Sequence, residues 1–165
     1  MSVVAARVYS DRIEVAADSI IILGDMKRTG TFSKLEQVND MIIGSVGLAE
    51  EISLMWQFAK THKPESATER DVREFMIEFM KWKKELCGNS DIENDYIIAY
   101  QGRLFDVEGM FVNPVNDYVA IGAGMYFATA ALYLGQSPQA AVKVACDLNY
   151  LVAEPIVSCY MKIES

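Results

Sequence analysis

Short apolar runs broken by turn residues fill the first third of the chain. Residues 3–8 form one run, Ser10-Asp11 is a turn signal, and residues 12–17 resume the strand pattern, so a hairpin is predicted at the very start. Residues 20–23 are a further apolar run stopped by Gly24-Asp25. Gly30 punctuates before a strand over 32–38, and Asn39-Asp40 turns into a strand over 41–43, with Gly44 and Gly47 marking its exit. The period then changes. Leu48, Ile52, Met55, Trp56 and Ala59 share one helical face. Ser66-Ala67-Thr68-Glu69 has the spacing of a capping box. Val72, Phe75, Met76, Phe79 and Met80 follow at helical spacing. Lys81, Lys83 and Lys84 crowd the helix end, where cations suit the dipole, and Gly88-Asn89 stops it.

Strand patterning returns at 96–100 and 103–107 around Gln101-Gly102, a hairpin signal. Val115-Asn116-Asp117 leads into a strand over 118–121. Gly122-Ala123-Gly124 turns the chain into a helix over 126–134. Ser137-Pro138 supplies an N-cap and a first-turn proline for another helix. Its face runs through Ala141, Val144, Ala145, Leu148 and Val152, and Pro155 ends it. Residues 156–163 alternate as a closing strand. Strand blocks separated by two helix pairs predict an α+β fold: a four-layer αββα sandwich of two antiparallel sheets with a helix pair on each outer face. No linker or repeat interrupts the pattern, so residues 1–165 read as a single domain.

Composition narrows the function classes. The chain has 165 residues, 52% of them hydrophobic, enough to bury a sizeable core. A net charge of −8 argues against nucleic acid and anionic membrane as partners. No run approaches the roughly 20 apolar residues of a membrane span, and the first residues lack the form of a signal peptide. Cys87, Cys146 and Cys159 are odd in number, widely spaced and unaccompanied by histidine clusters. That leaves no zinc ligand set and suits reduced thiols in a cytoplasm. No metal or cofactor is expected.

The one histidine, His62, sits in a polar helix end, which disfavours a Ser-His-Asp triad. Gly122-Ala123-Gly124 lacks the third glycine of a dinucleotide fingerprint. A nucleophile that needs no histidine is an N-terminal Ser or Thr using its own α-amine as base. Ser2 follows Met1 and is small enough for methionine aminopeptidases to remove Met1 before it.

These features resemble the proteasome β-subunit and HslV peptidase family of N-terminal-nucleophile hydrolases, over nearly the whole chain. The resemblance rests on Ser-Val-Val-Ala-Ala-Arg-Val at the start, the strand ending in Ala17-Asp18, and Lys34-Leu35. It extends to the glycine turn Ile43 to Glu50 and to Ile121-Gly122-Ala123-Gly124. Ser2, Asp18 and Lys34 follow at equal intervals of 16 residues, as the family's nucleophile, Asp and Lys do. The resemblance implies the Ntn-hydrolase fold and four site residues. Ser2 Oγ would attack the scissile carbonyl, and Lys34 would lower that oxygen's proton affinity. Asp18 would hold Lys34 charged, and the Gly47 N–H would meet the oxyanion.

The resemblance further implies homo-oligomeric rings in the cytoplasm that enclose the sites. Peptides or unfolded proteins would be the substrates, with an ATP-dependent unfoldase as a feeding partner. The chain departs from the family in having Ser2 for Thr and Ala123 where a Ser often supports the amine. Leu151 and Glu154 stand near where an Asp and a Ser precede the last strand. Two alternatives stay open: a ring-forming structural subunit without catalysis, and an amidase acting on small amides.

Overall fold

A computed structural model describes residues 1–29 and 32–164; the punctuation expected at Gly30 lies outside the described residues. The opening hairpin is β1 (Val4–Val8) and β2 (Arg12–Ala17). Further along, β10 (Tyr118–Ile121) pairs with β1 and β11 (Val157–Lys162) pairs with β2. The result is a four-stranded antiparallel sheet of order β10-β1-β2-β11. A second sheet is an antiparallel meander of five consecutive strands. They are β5 (Leu35–Val38), β6 (Met41–Val46), β7 (Asp95–Tyr100), β8 (Arg103–Glu108) and β9 (Phe111–Val115). Between the sheets in sequence, β3 (Ile20–Leu23) and β4 (Met26–Thr29) form a separate hairpin.

Turn chemistry explains the meander's register. Val38 pairs with Met41 and Tyr100 with Arg103, leaving two-residue loops. Both residues of each loop have positive φ: Asn39 and Asp40 in one, Gln101 and Gly102 in the other. That is the primed turn whose twist matches the flanking strands.

Among the described residues, four helices complete the fold: α1 (Ala49–Ala59), α2 (Glu69–Cys87), α3 (Met125–Tyr133) and α4 (Pro138–Leu148). Three apolar clusters hold these elements together. One joins Met55 and Phe58 of α1 and Phe75 and Phe79 of α2 to Ile43, Tyr96, Ile98 and Phe105 of the meander. A second joins Val4, Ala6, Ile13 and Val15 of the first sheet to Ile42, Ile97, Ala99 and Leu104 of the other. The third joins Val3, Ala5 and Ala16 to Ala128, Leu132, Ala141 and Ala145 of α3 and α4. Odd and even residues of β1 therefore fall in different clusters, the period of a strand buried on both faces. Alanines on both sides of the third cluster let helix and sheet approach closely.

Several local expectations are corrected. Gly44 does not end β6, which runs on to Val46. A Cβ at Gly44 would come within 2.5 Å of Val4 Cγ1, so glycine is needed there for the sheets to approach. The cap of α2 is Thr68, not Ser66: Thr68 Oγ1 accepts from the Asp71 N–H at 3.2 Å, and Ser66 Oγ donates to the Asp71 carboxylate. The helix α4 ends at Leu148, because Asn149 is extended and its side chain turns aside to donate to the Ala123 carbonyl at 2.8 Å. Two strands, β4 and β9, escape the pattern: β4 carries the charged Lys27 and Arg28, and the apolar run of β9 is cut short by Asn113. The second of them carries Pro114 and is tolerated because it is an edge.

Candidate active site

The site begins with strand pairing. Val4 lies opposite Ala17 across β1 and β2, which brings the next residues outward, Val3 and Asp18, face to face. Asp18 N–H donates to the Val3 carbonyl at 3.2 Å, and Val3 N–H donates to Asp18 Oδ1 at 2.9 Å. Asp18 is thereby fixed beside Ser2. Lys34 enters just ahead of β5 and donates through Nζ to both Asp18 oxygens, each at 2.9 Å. Ile20 N–H and Ala153 N–H, each at 3.4 Å from Oδ2, complete the carboxylate's shell. Both charges are buried, Lys34 at 3% and Asp18 at 0% side-chain exposure. A pair so dry persists only when its members bond each other and their spare lone pairs are satisfied.

The amine faces the chain terminus. Lys34 Nζ also reaches the Met1 carbonyl at 3.4 Å, the same oxygen that accepts from Ser2 Oγ at 2.6 Å. The Ser2 carbonyl accepts from the Gly124 N–H at 3.2 Å, tying residue 2 to the turn before α3. Burial pulls the Lys34 ammonium below the ordinary lysine value, and Asp18 acts against that pull. The Met1 α-amine is lowered by burial and then by the Lys34 charge, with Asp18 opposing. Both effects favour a neutral amine at this end of the chain.

A cavity of about 190 Å³ is lined by Met1, Ser2, Lys34 and Gly47 together with the apolar Ile20, Ile22, Leu48 and Ile52. Three of the four residues that the sequence singles out thus line one cavity, and the fourth, Asp18, is joined to it through its bonds to Lys34. Gly47 turns there with φ of +130°, a conformation other residues adopt only with strain.

One set of polar residues at this site escapes sequence reading. Asn94 accepts from the Leu48 N–H through Oδ1 at 2.6 Å and donates through Nδ2 to the Leu48 carbonyl at 3.0 Å. Glu51 accepts from Asn94 N–H, Glu93 N–H, Tyr96 OH and Lys83 Nζ. Lys83, expected with Lys81 and Lys84 as a cation suiting the helix dipole, is instead buried and paired with Glu51. Glu51 and Asn94 sit in charged stretches that look solvated. The legible signal was spacing: Glu51 falls in the buried stripe with Met55, Phe58 and Ala59, and Lys83 continues that of Val72, Phe75, Met76 and Phe79.

Other titratable residues noted in the sequence stand elsewhere. Glu154 is exposed beside Lys143, and the segment before β11 meets Asp18 through a backbone amide, that of Ala153. The His62 ring stacks on Phe58 at 4.1 Å, and its ring nitrogen contacts Thr61 and the Phe58 carbonyl. Burial pushes the Cys146 and Cys159 thiols up to about 11, leaving both protonated and poor nucleophiles. Among the described residues, no three His, Cys, Asp or Glu side chains cluster as metal ligands, and no helix is long and apolar enough to cross a membrane.

The fold is of the HslV type, mixed α/β with antiparallel sheets and four helices. Thiobacillus denitrificans BPH in complex with epoxomicin superposes with a TM-score of 0.88 at 19% identity, covering 99% of this chain and 100% of that one. A second structure of the same protein gives 0.85 at 20% identity, covering 98% of each chain. Eukaryotic HslV from Trypanosoma brucei gives 0.72 at 20% identity, covering 97% of this chain and 99% of that one. No protein-family profile matches the chain, and no curated protein sequence does.

Proposed function

We propose that this chain, once Met1 is removed, is a peptide-hydrolysing subunit with Ser2 as N-terminal nucleophile. The observation that carries the reading is the placement of the Lys34 ammonium. It is clamped by Asp18, aimed at the first peptide of the chain, and shares a cavity with Ser2 and Gly47. Residues 1–165 act as one domain in this reading, with the three apolar clusters separating the layers of an αββα sandwich.

The chemistry follows from the groups present. Met1 removal turns the Ser2 amide nitrogen into an α-amine, whose ordinary pKa of about 7.7–8.0 makes it a usable base near neutrality. Ser2 Oγ passes its proton to that amine and bonds to the scissile carbonyl carbon. The carbonyl oxygen becomes an oxyanion at the Gly47 N–H. Collapse expels the substrate amine with the transferred proton and leaves an acyl-Ser2 ester. Water, deprotonated by the same amine, releases the acid. The apolar walls at Ile20, Ile22, Leu48 and Ile52 suit a substrate with an apolar side chain beside the cleaved bond.

The likeness to HslV and BPH folds also supports homo-oligomeric rings in the cytoplasm, fed with unfolded protein by an ATP-dependent unfoldase. An apolar groove around Tyr126, Tyr133 and Leu134, all about three-quarters exposed, is a surface suited to subunit contact. The test is intact mass followed by peptide hydrolysis. Expected are loss of one methionine, turnover of an apolar peptide substrate, and no turnover by Ser2→Ala. Retained Met1, or cleavage that survives Ser2→Ala, would leave a ring subunit whose Ser2 does no chemistry.

A further inference from the structure

The turn at Gly47 is clamped from both sides by one side chain. Asn94 Oδ1 takes the Leu48 N–H, while Asn94 Nδ2 donates to the Leu48 carbonyl and, at 3.3 Å, to Ser45 Oγ. The Val46–Gly47 peptide therefore lies between two anchored residues. A Cβ at Gly47 would overlap this amide, with Asn94 Cγ at 2.6 Å, so the left-handed turn and the asparagine are built for each other. Asn94 is in turn placed by Glu51 Oε1, which accepts its N–H at 3.2 Å and the Tyr96 hydroxyl at 2.7 Å. Glu51 Oε2 takes Lys83 Nζ at 2.7 Å, and Lys83 also donates to the Asp91 carbonyl at 2.6 Å. Ser45, Glu51, Lys83, Asn94 and Tyr96 are all buried. A buried ion pair is a costly way to join helices, and apolar side chains often do it as well. Here the bonds converge on the loop that delivers Asn94.

We infer that Asn94, locked by the Glu51–Lys83 pair, is a positioning residue that fixes the direction of the Gly47 N–H beside Ser2. This inference rests on the reading of Gly47 as the oxyanion donor. Removing one oxyanion donor outright costs about 10²–10³ in kcat; loosening it costs less.

The test uses the Met1-free protein, the variants Asn94→Ala and Asn94→Asp, and Ser2→Ala as reference. The isosteric Asp keeps the acceptor for Leu48 N–H but loses the donor to its carbonyl. With a peptide substrate, both variants are expected to lose about tenfold or more in kcat while KM stays within about twofold. A peptide aldehyde, whose hemiacetal oxygen takes the oxyanion's place, is expected to bind more weakly by the same factor as kcat/KM. Unchanged kcat, or a change in KM alone, with Ser2→Ala inactive, overturns the inference and leaves the peptidase reading standing. If wild type and Ser2→Ala are equally inactive, the peptidase reading fails and crystal structures of the variants decide. A Gly47–Leu48 turn that rotates or disorders in Asn94→Ala supports the positioning role. A turn that keeps φ near +130° overturns it.

Discussion

Among the described residues, two lysine–carboxylate pairs are buried, and they face different things. In exposure they are near twins: 3% and 0% for Lys34 and Asp18, 6% and 1% for Lys83 and Glu51. The contrast lies in where the leftover hydrogen-bonding capacity goes. Lys83 directs its other bond to the Asp91 carbonyl, and Glu51 is filled by four donors, all inside the protein. Lys34 directs its other bond to the Met1 carbonyl at the edge of a cavity. Burial of a charge pair is thus weak evidence for stability and equally weak evidence for chemistry. An open side next to a reactive hydroxyl is what separates the two.

Removing the charge from each pair breaks the comparison most sharply. Lys34→Met is expected to lower kcat/KM for peptide hydrolysis about 10²–10³-fold, the scale of losing one electrostatic contact at the reacting centre. The protein should stay folded by circular dichroism. Activity within a factor of about three of wild type would put Lys34 outside the chemistry.

The same lysine sets an alkaline limit. The Ser2 α-amine, ordinarily at about 7.7–8.0, must be neutral to act; Lys34 lies below its ordinary 10.5 and must be charged. The profile of kcat/KM against pH should rise as that amine loses its proton and fall through a midpoint under 10.5 as Lys34 loses its own, a bell in which raising pH first helps and then harms. A rate that keeps climbing beyond pH 10.5 would contradict the role of Lys34.

Lys83→Met acts on the other pair. It leaves Glu51 charged and buried without its cation, at a cost of about 3–5 kcal/mol in unfolding free energy. A urea titration measures that loss, and adding Glu51→Leu should recover part of it. Equal stability of single and double variants would show that the pair is not coupled.

The smallest effect concerns the helix that carries Lys83. Thr68→Ala should cost about 1 kcal/mol, and Ser66→Ala less, because Thr68 holds the N-cap. Thermal melts of the two variants rank them.

The elements nearest Ser2 were the most legible in the sequence. The hairpin of β1 and β2 has strict runs and a clear turn. Its register sets Asp18 against Val3, next to Ser2. Asp18 and Lys34 themselves were legible through the resemblance and its 16-residue spacings, not through their surroundings; Lys34 precedes a strand only four residues long. Asn94, Glu51 and Lys83 were hidden by their neighbours: Glu50, Glu93 and Lys84 are charged and exposed, and one-dimensional pattern dilutes a single buried charge among several solvated ones. The support that Ala153 gives Asp18 was illegible for a different reason, because every residue carries a backbone amide and only the path of the chain decides which one arrives. Edge strands such as β9 escape because one open side relaxes both the apolar pattern and the exclusion of proline.

The most direct test of the central claim is to treat the Met1-free protein with epoxomicin, the compound held by the similar Thiobacillus denitrificans structure, and to map the adduct by peptide mass spectrometry. An adduct on Ser2 that disappears in Ser2→Ala is the predicted result. Modification at Cys146 or Cys159, or none at all in protein shown to lack Met1, would contradict the assignment of Ser2 as nucleophile.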